Sequence, residues 1–335
     1  MIFLPTLEQI VGHAAVLANL RRAMASHHPG HAHLFFGPPG VGKATVAGAF
    51  VQALFCPRRG AAGDAGCGEC PTCRKVAQGN HGDLIRVTME EGKTRIGVDQ
   101  VRQLAGFFAL TPMEAPWKVA IMDDAASMNE AAANALLKTL EEPPPRSLLI
   151  LVTRQAGRLL PTIRSRCLKT RFSQLAPADL RRILGAGPGG EAIAALDETA
   201  WGELVAVGGG NAGRIVAFSQ GEWPGLRSQF RQEMAGLPSV TLGRLLSLAE
   251  RWSPPERFAL VTVLLRAWLR ERVQAVVLSQ PDRSVPGGGV PQEEWLKVAS
   301  WVEQLLQQTA VINLNRRLVL EAVFIRLARL QGVSF

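Results

Sequence analysis

The stretch Gly37-Pro38-Pro39-Gly40-Val41-Gly42-Lys43-Ala44-Thr45 meets the pattern G-x-x-x-x-G-K at Gly37, Gly42 and Lys43. Glycines there let backbone N–H groups curl around phosphate oxygens, a following helix start adds its positive dipole end, and Lys43 neutralises charge. Gly40 and Thr45 complete the candidate cradle. The hydroxyl that normally follows the lysine and holds magnesium is missing, because position 44 is Ala. Thr45 does not obviously replace it, since one residue along a helix turns the side chain by about 100°. The competing interpretation is a glycine turn that binds nothing. Further on, Asp123 and Asp124 close an apolar run, the form of a strand that presents a carboxylate to nucleotide-bound magnesium. The second acid of that motif is ordinarily a glutamate, and here it is the shorter Asp124. Thr153, at the end of another apolar run, is placed to sense a γ-phosphate.

A second chemistry comes from Cys56, Cys67, Cys70 and Cys73, spaced C-x10-C-x2-C-x2-C in a Gly/Pro-rich excursion. Overlapping C-x2-C steps suit tetrahedral thiolate coordination of a structural zinc ion. A redox pair and free thiols compete with this, and nothing else in the sequence supports an iron cluster. His81 lies nearby in sequence and is expected to be structural, since four thiolates already close a site.

Alternating elements must position these groups. His33 to Phe36 reads as a buried strand ahead of the glycine loop, and Ala44 to Leu54 as the helix behind it. Ala14 to Ser26 is predicted helical, with Val16, Leu17, Leu20 and Met24 on one face, as is Val98 to Phe108, with Val98, Val101, Leu104, Ala105 and Phe108. Trp117 to Asp124, Ser147 to Val152 and Leu168 to Phe172 are predicted strands. Between them, Ser127 and Glu130 suggest a capping box for a helix burying Ala133, Leu136, Leu137 and Leu140, and Leu159 to Ile163 suggests a short helix. This alternation predicts an α/β fold with a parallel sheet covered on both faces. From Pro177 onward only helical patterns follow, interrupted by Gly185 to Gly190, by Gly208 to Gly210 and by a Pro/Gly loop from Pro281 to Pro291. The last two helices are expected over Glu293 to Thr309 and Asn315 to Leu330.

The 335 residues are 47% hydrophobic, which allows two or three domains, each with a core. No apolar run reaches bilayer-spanning length, and Met1-Ile2-Phe3-Leu4-Pro5 lacks the basic opening of a secretory signal, so a cytoplasmic location without membrane association is expected. The net charge of +9 points to anionic surroundings, but the excess is spread along the chain rather than gathered in a nucleic-acid tail.

Several of these pieces together resemble the bacterial DNA polymerase III clamp-loader family, most closely its delta-prime branch. They are Ile10-Val11-Gly12-His13, the Gly37 to Lys43 loop, the cysteine module, the run from Ala131 through Leu140-Glu141-Glu142-Pro143-Pro144, Ser165-Arg166-Cys167 and Asn313 to Leu318. The resemblance covers nearly the whole chain, and the alanine-rich helix into Leu-Glu-Glu-Pro-Pro followed by Ser-Arg-Cys is its most specific part. It implies an AAA+ P-loop-type α/β domain over 1–174 with the zinc module at 56–73, a small helical lid over 175–222 and a helical oligomerisation collar over 223–335. It also implies a hetero-pentamer with gamma/tau and delta subunits that loads the sliding clamp onto primed DNA, as part of the DNA-directed DNA polymerase III (nucleotidyltransferase) holoenzyme. The family's Ser-Arg-Cys arginine, here Arg166, reaches a neighbour's ATP site and stabilises charge on the transferred phosphoryl group. Active gamma/tau-type relatives would carry Ser or Thr at 44, Glu at 124 and a lid arginine near Gly213, where this chain has Arg214 one residue on. Ala44, Asp124 and Gly213 therefore argue for an ATPase-silent stator, and against ATP/Mg2+ chemistry in its own loop. The alternative is a gamma/tau-type ATP-hydrolysing motor.

Overall fold

The computed structural model describes residues 4–26, 28–58, 65–90, 92–187, 190–221, 223–278, 290–312 and 314–335. Most of the Pro281 to Pro291 loop lies outside these residues, as do Met1 to Phe3, residues 59–64 of the cysteine excursion, residues 188–189 and 222, and Asn313. The chain divides into two compact units, Met1–Ile183 with Gly210–Ala212, and Leu184–Gly209 with Gly213–Phe335.

The first unit holds α1 (Ala14–Ala25), β1 (Ala32–Phe36), α2 (Lys43–Phe55), α3 (Pro71–Gln78), β2 (Leu84–Val87), α4 (Val98–Ala109), β3 (Lys118–Asp123), α5 (Glu130–Glu141), β4 (Ser147–Thr153), α6 (Pro161–Ser165), β5 (Leu168–Arg171) and most of α7 (Pro177–Gly185). The strands form one parallel sheet in the order β2-β3-β4-β1-β5. Because strand side chains alternate between faces, each central strand divides its apolar residues between two cores. Phe35, Val119, Ile121, Leu148, Ile150 and Val152 pack with α1 and α2, while Leu34, Ala120, Met122, Leu149 and Leu151 pack with α4 and α5. This is the expected α/β architecture, a parallel sheet covered on both sides.

Local details depart from the sequence pattern in three places. The cap of α5 is Asn129, whose side chain accepts the Ala132 N–H at 2.8 Å, and not Ser127. Ser127 closes a short 3-10 turn and its hydroxyl donates to the Asp124 carbonyl at 2.7 Å. On that helix Ala132 is buried where Leu137 was expected, and Leu137 is only partly covered; on α4, Ala105 is exposed and Val98 partly so. The edge strand β2 and helix α3 carry no clear pattern in the sequence.

Asp83, just before β2, is a structural centre of the sheet edge. Fully buried, its carboxylate accepts the backbone N–H groups of Met113, Glu114 and Ala115 at 2.8, 2.7 and 2.9 Å. It also pairs at 3.3 Å with Lys118, whose ammonium sits 4.2 Å from the Phe107 ring centroid. Burial by itself would raise the Asp83 pKa, but the three donors and Lys118 outweigh it and hold the carboxyl below the ordinary aspartate range. A depressed folded pKa contributes stability at neutral pH that is lost as pH falls through the ordinary range toward the folded value. Asp83→Ala leaves Lys118 and three amides unpaired, so denaturant unfolding of the full chain is expected to show a loss of about 3–5 kcal/mol at pH 7 that shrinks in acid.

The second unit contains α8 (Gly190–Ala194), α9 (Glu198–Gly208), α10 (Ala212–Gln220, from Gly213), α11 (Trp223–Ala235), α12 (Leu242–Trp252), α13 (Pro255–Leu278), α14 (Gln292–Ile312) and α15 (Arg316–Leu330), with no strand among the described residues. Its leucine and aromatic stripes are core: Leu245, Leu248, Leu260, Leu264, Trp268, Trp295 and Phe324 are buried, while Leu246 and Val263 are partly so. Buried Glu203 on α9 ties Arg227 and Arg231 of α11, and Arg231 continues to Glu271 of α13 at 2.8 Å.

Candidate functional site

Parallel strands direct all their C-terminal ends one way, and three of them deliver the phosphate-site candidates to one edge. Phe36 of β1 is level with Thr153 of β4, and Val152 with Asp123 of β3, so the loop starting at Gly37, the carboxylate and the threonine share that edge. At Gly37 the backbone has φ +147°, and an added Cβ would stand 2.1 Å from the Phe172 carbonyl oxygen. Gly40 has φ +71° and lies against the Asn211 carboxamide, which an added Cβ would meet at 2.1 Å. Both positions therefore require glycine. Gly42 immediately precedes α2 and accepts the Val46 N–H at 2.8 Å.

Lys43 is buried, and its ammonium donates to the carbonyls of Gly37 at 2.8 Å and Pro38 at 2.6 Å. Burial lowers its pKa, and the nearby Asp123 and Asp124 carboxylates pull it back. Burial raises the pKa of Asp123, as does the charge of Asp124, against the opposing charges of Lys43, Arg154 and Arg86. The Oδ1 atom of Asp124 is buried without a hydrogen-bond partner. Thr153 is buried, and its hydroxyl oxygen accepts the Gln155 N–H at 3.3 Å. Two carboxylates thus stand ready for a cation, but the hydroxyl that completes the magnesium set is absent at Ala44, and Thr45 is exposed while Lys43 is buried. The donor set of the loop does not fit catalytic magnesium.

Arg166 lies at the other end of the sheet. It follows α6 and precedes β5, which begins with Leu168 beside His33. Its backbone is therefore roughly 13 Å or more from Gly37 along the strand axis. Its guanidinium donates to Glu141 Oε1 at 3.0 Å and to the Thr162 carbonyl at 3.1 Å, and the side chain remains 36% exposed. In the helical unit, Arg214 on α10 lies 5.9 Å from the Phe218 ring centroid.

The four cysteines converge. Cys56 ends α2, Cys67 and Cys70 lie in the following loop, and Cys73 sits in α3, which Cys70 caps and Pro71 begins. All four Sγ atoms are within 4.8 Å of one another, with Cys56 to Cys70 at 4.0 Å and Cys67 to Cys73 at 3.9 Å. A tetrahedral zinc site with its usual Zn–S bonds has S···S edges of about 3.8 Å. These separations exclude disulfides. The N–H groups of Cys67, Cys70 and Cys73 each donate to a cluster sulfur at 3.4 Å, which favours thiolates. The Glu69 N–H leads the set of donors that pulls the Cys67 thiol down to about 6, while burial pushes Cys56 and Cys73 up. The donor set is that of a closed, structural metal site. His81 stays out of it: the ring is buried 4.8 Å from that of Phe55 and accepts the Asp83 N–H. Cys167, the fifth cysteine, is buried, and burial pushes its thiol up to about 11.

Sequence patterns mark each candidate site residue, but not the supporting residues Asp83 and Asn211. Neither carries a local signal, because their partners are distant in the chain. The pairing of Arg166 with Glu141 was also not foreseen, although both belong to motifs.

Residues 12–176 match the family described as DNA polymerase III, delta subunit. The chain is 33% identical over 319 residues to the DNA polymerase III subunit delta' of Pseudomonas aeruginosa, covering 90% of this chain and 93% of that one. It is 31% identical over 279 residues to the corresponding subunit of Escherichia coli, covering 80% and 79%. The DNA polymerase III subunit tau of Bacillus subtilis is 34% identical over 168 residues, covering 50% of this chain and 29% of that one.

Proposed function

Because the chain belongs to the delta-prime subunit family of DNA polymerase III, the clamp-loader subunits, we propose that it is an ATPase-silent stator that completes a neighbouring subunit's ATP site with Arg166. The observation that carries this is the placement of Arg166 at the end of the sheet opposite its own phosphate loop. That separation keeps it away from its own phosphate loop, which supports a role toward another chain's nucleotide. The chemistry agrees: a planar guanidinium with several N–H donors suits the spread negative charge of a transferring phosphoryl group. The loop, meanwhile, lacks the hydroxyl at Ala44 and has Asp124 where a longer base would stand. Gly37, Gly40, Gly42, Lys43, Thr45, Asp123, Asp124 and Thr153 then form a degenerate nucleotide site.

The working context of this function is a cytoplasmic hetero-pentamer with gamma/tau and delta subunits, acting on the sliding clamp and primed DNA. Residues 175–222 serve as its lid and 223–335 as its collar. Structural zinc on Cys56, Cys67, Cys70 and Cys73 holds the module next to α2. A second reading, a gamma/tau-type motor, is favoured by the gathering of Lys43, Asp123 and Thr153 at one edge. ATP turnover by the purified chain alone separates the two. The stator gives none at saturating ATP while raising the turnover of the assembled partners. A motor hydrolyses ATP by itself and loses that activity in Lys43→Ala.

A further inference from the structure

Arg166 ties the C-terminal end of α5 to α6. One of its terminal nitrogens donates to Glu141, the last residue of α5, and the other to Thr162 of α6, four residues back. Two of its five donors are thereby engaged, and the guanidinium plane is fixed by contacts on two elements. The pair has no evident stabilising purpose. Glu141 and Arg166 are 49% and 36% exposed, and ion pairs this open contribute little to stability. Glu141 also stands at a helix C-terminus, where the macrodipole disfavours an acid, and Glu142 beside it repeats the charge. An acid kept at an unfavourable position and aimed at the one arginine assigned a role in trans calls for a functional reason.

We propose that Glu141 is a positioning residue for Arg166, holding the guanidinium in the orientation in which its free N–H groups meet the phosphoryl group of the neighbouring subunit. This rests on the reading of Arg166 as acting in trans. Orientation set before the encounter raises the rate by removing freedom that would otherwise be lost in the transition state. It need not alter ATP binding, because the neighbour's own loop holds the ground state. Glu141 acts through Arg166 and does not itself touch the nucleotide.

The test uses the reconstituted assembly with clamp and primed DNA, reading the phase of ATP turnover that Arg166→Ala removes. Glu141→Ala is expected to slow that phase roughly tenfold with KM for ATP unchanged. Glu141→Gln, which keeps an oxygen acceptor, should retain most of the rate, and the exposed Glu142→Gln all of it. The double variant Glu141→Ala/Arg166→Ala should be no slower than Arg166→Ala alone, because both substitutions remove the same interaction. Thermal unfolding of the Glu141 variants should match the parent chain. An unchanged or faster phase in Glu141→Ala, a raised KM, or a further slowing in the double variant overturns the positioning role. If Arg166→Ala itself leaves turnover unchanged, it is the reading of Arg166 in trans that fails.

Discussion

ATP turnover at the site served by this chain is expected to fall by about a thousandfold when Arg166 is replaced by alanine in the assembled complex. The magnitude follows from the role proposed for the guanidinium. Charge on the transferring phosphoryl group spreads over its equatorial oxygens, and a planar donor fork in a site shielded from water stabilises that charge more than it stabilises bound ATP. The loss should therefore appear in the rate constant of a single-turnover experiment and leave nucleotide affinity nearly untouched. Arg166→Lys should recover little, since a point charge on a flexible stem cannot reproduce two-point contact. Folding is not at stake, because the side chain is partly exposed and its contacts with Glu141 and the Thr162 carbonyl lie at the surface. An Arg166→Ala assembly that turns over ATP like the parent would remove this residue from the reaction.

How much of this was legible depended on whether the physical cause was local. The central strands β1, β3 and β4 are covered on both faces, so their apolar runs stand out in the sequence, and the four buried positions of α1 fall at helical spacing. The edge strand β2 has only four residues and includes exposed Arg86, so no run marks it. At the start of α5, the Ser-x-x-Glu pattern points to Ser127, but the chain makes a 3-10 turn first. That turn moves the cap to Asn129 and diverts the serine hydroxyl to Asp124. Among the candidate sites, the glycine loop and the cysteines are readable because their residue types recur at a short, recognisable spacing. Asp83 is silent, since it binds amides some thirty residues away. Glu141 and Arg166 were each marked by their motifs, but only the packing of α5 against α6 brings them into contact.

Substituting Cys73 by serine is expected to remove the proposed structural zinc altogether, from one per chain by elemental analysis to none. Cys73 is fully buried and holds two roles, as a sulfur donor and as one of only two buried residues in the eight-residue helix α3. A hydroxyl is a poorer ligand than a thiolate for this borderline-soft ion, and three remaining cysteines leave the tetrahedron open. Little apolar burial supports this segment, whose small core consists of the cysteines themselves. Structural zinc in comparable thiolate sites is worth on the order of 10 kcal/mol of apparent binding free energy at neutral pH, so losing it should unfold the module. The damage should stay local, because the sheet has its own two cores. Hydrogen exchange should speed up across 65–79 while β1, β3 and β4 remain protected. Mild acid should release the metal from the parent chain as well, since burial raises the pKa of Cys56 and Cys73 and protons compete for their sulfurs. Metal-free parent protein with four readily titrated thiols and residues 65–79 still protected from exchange would show that the cluster folds without an ion.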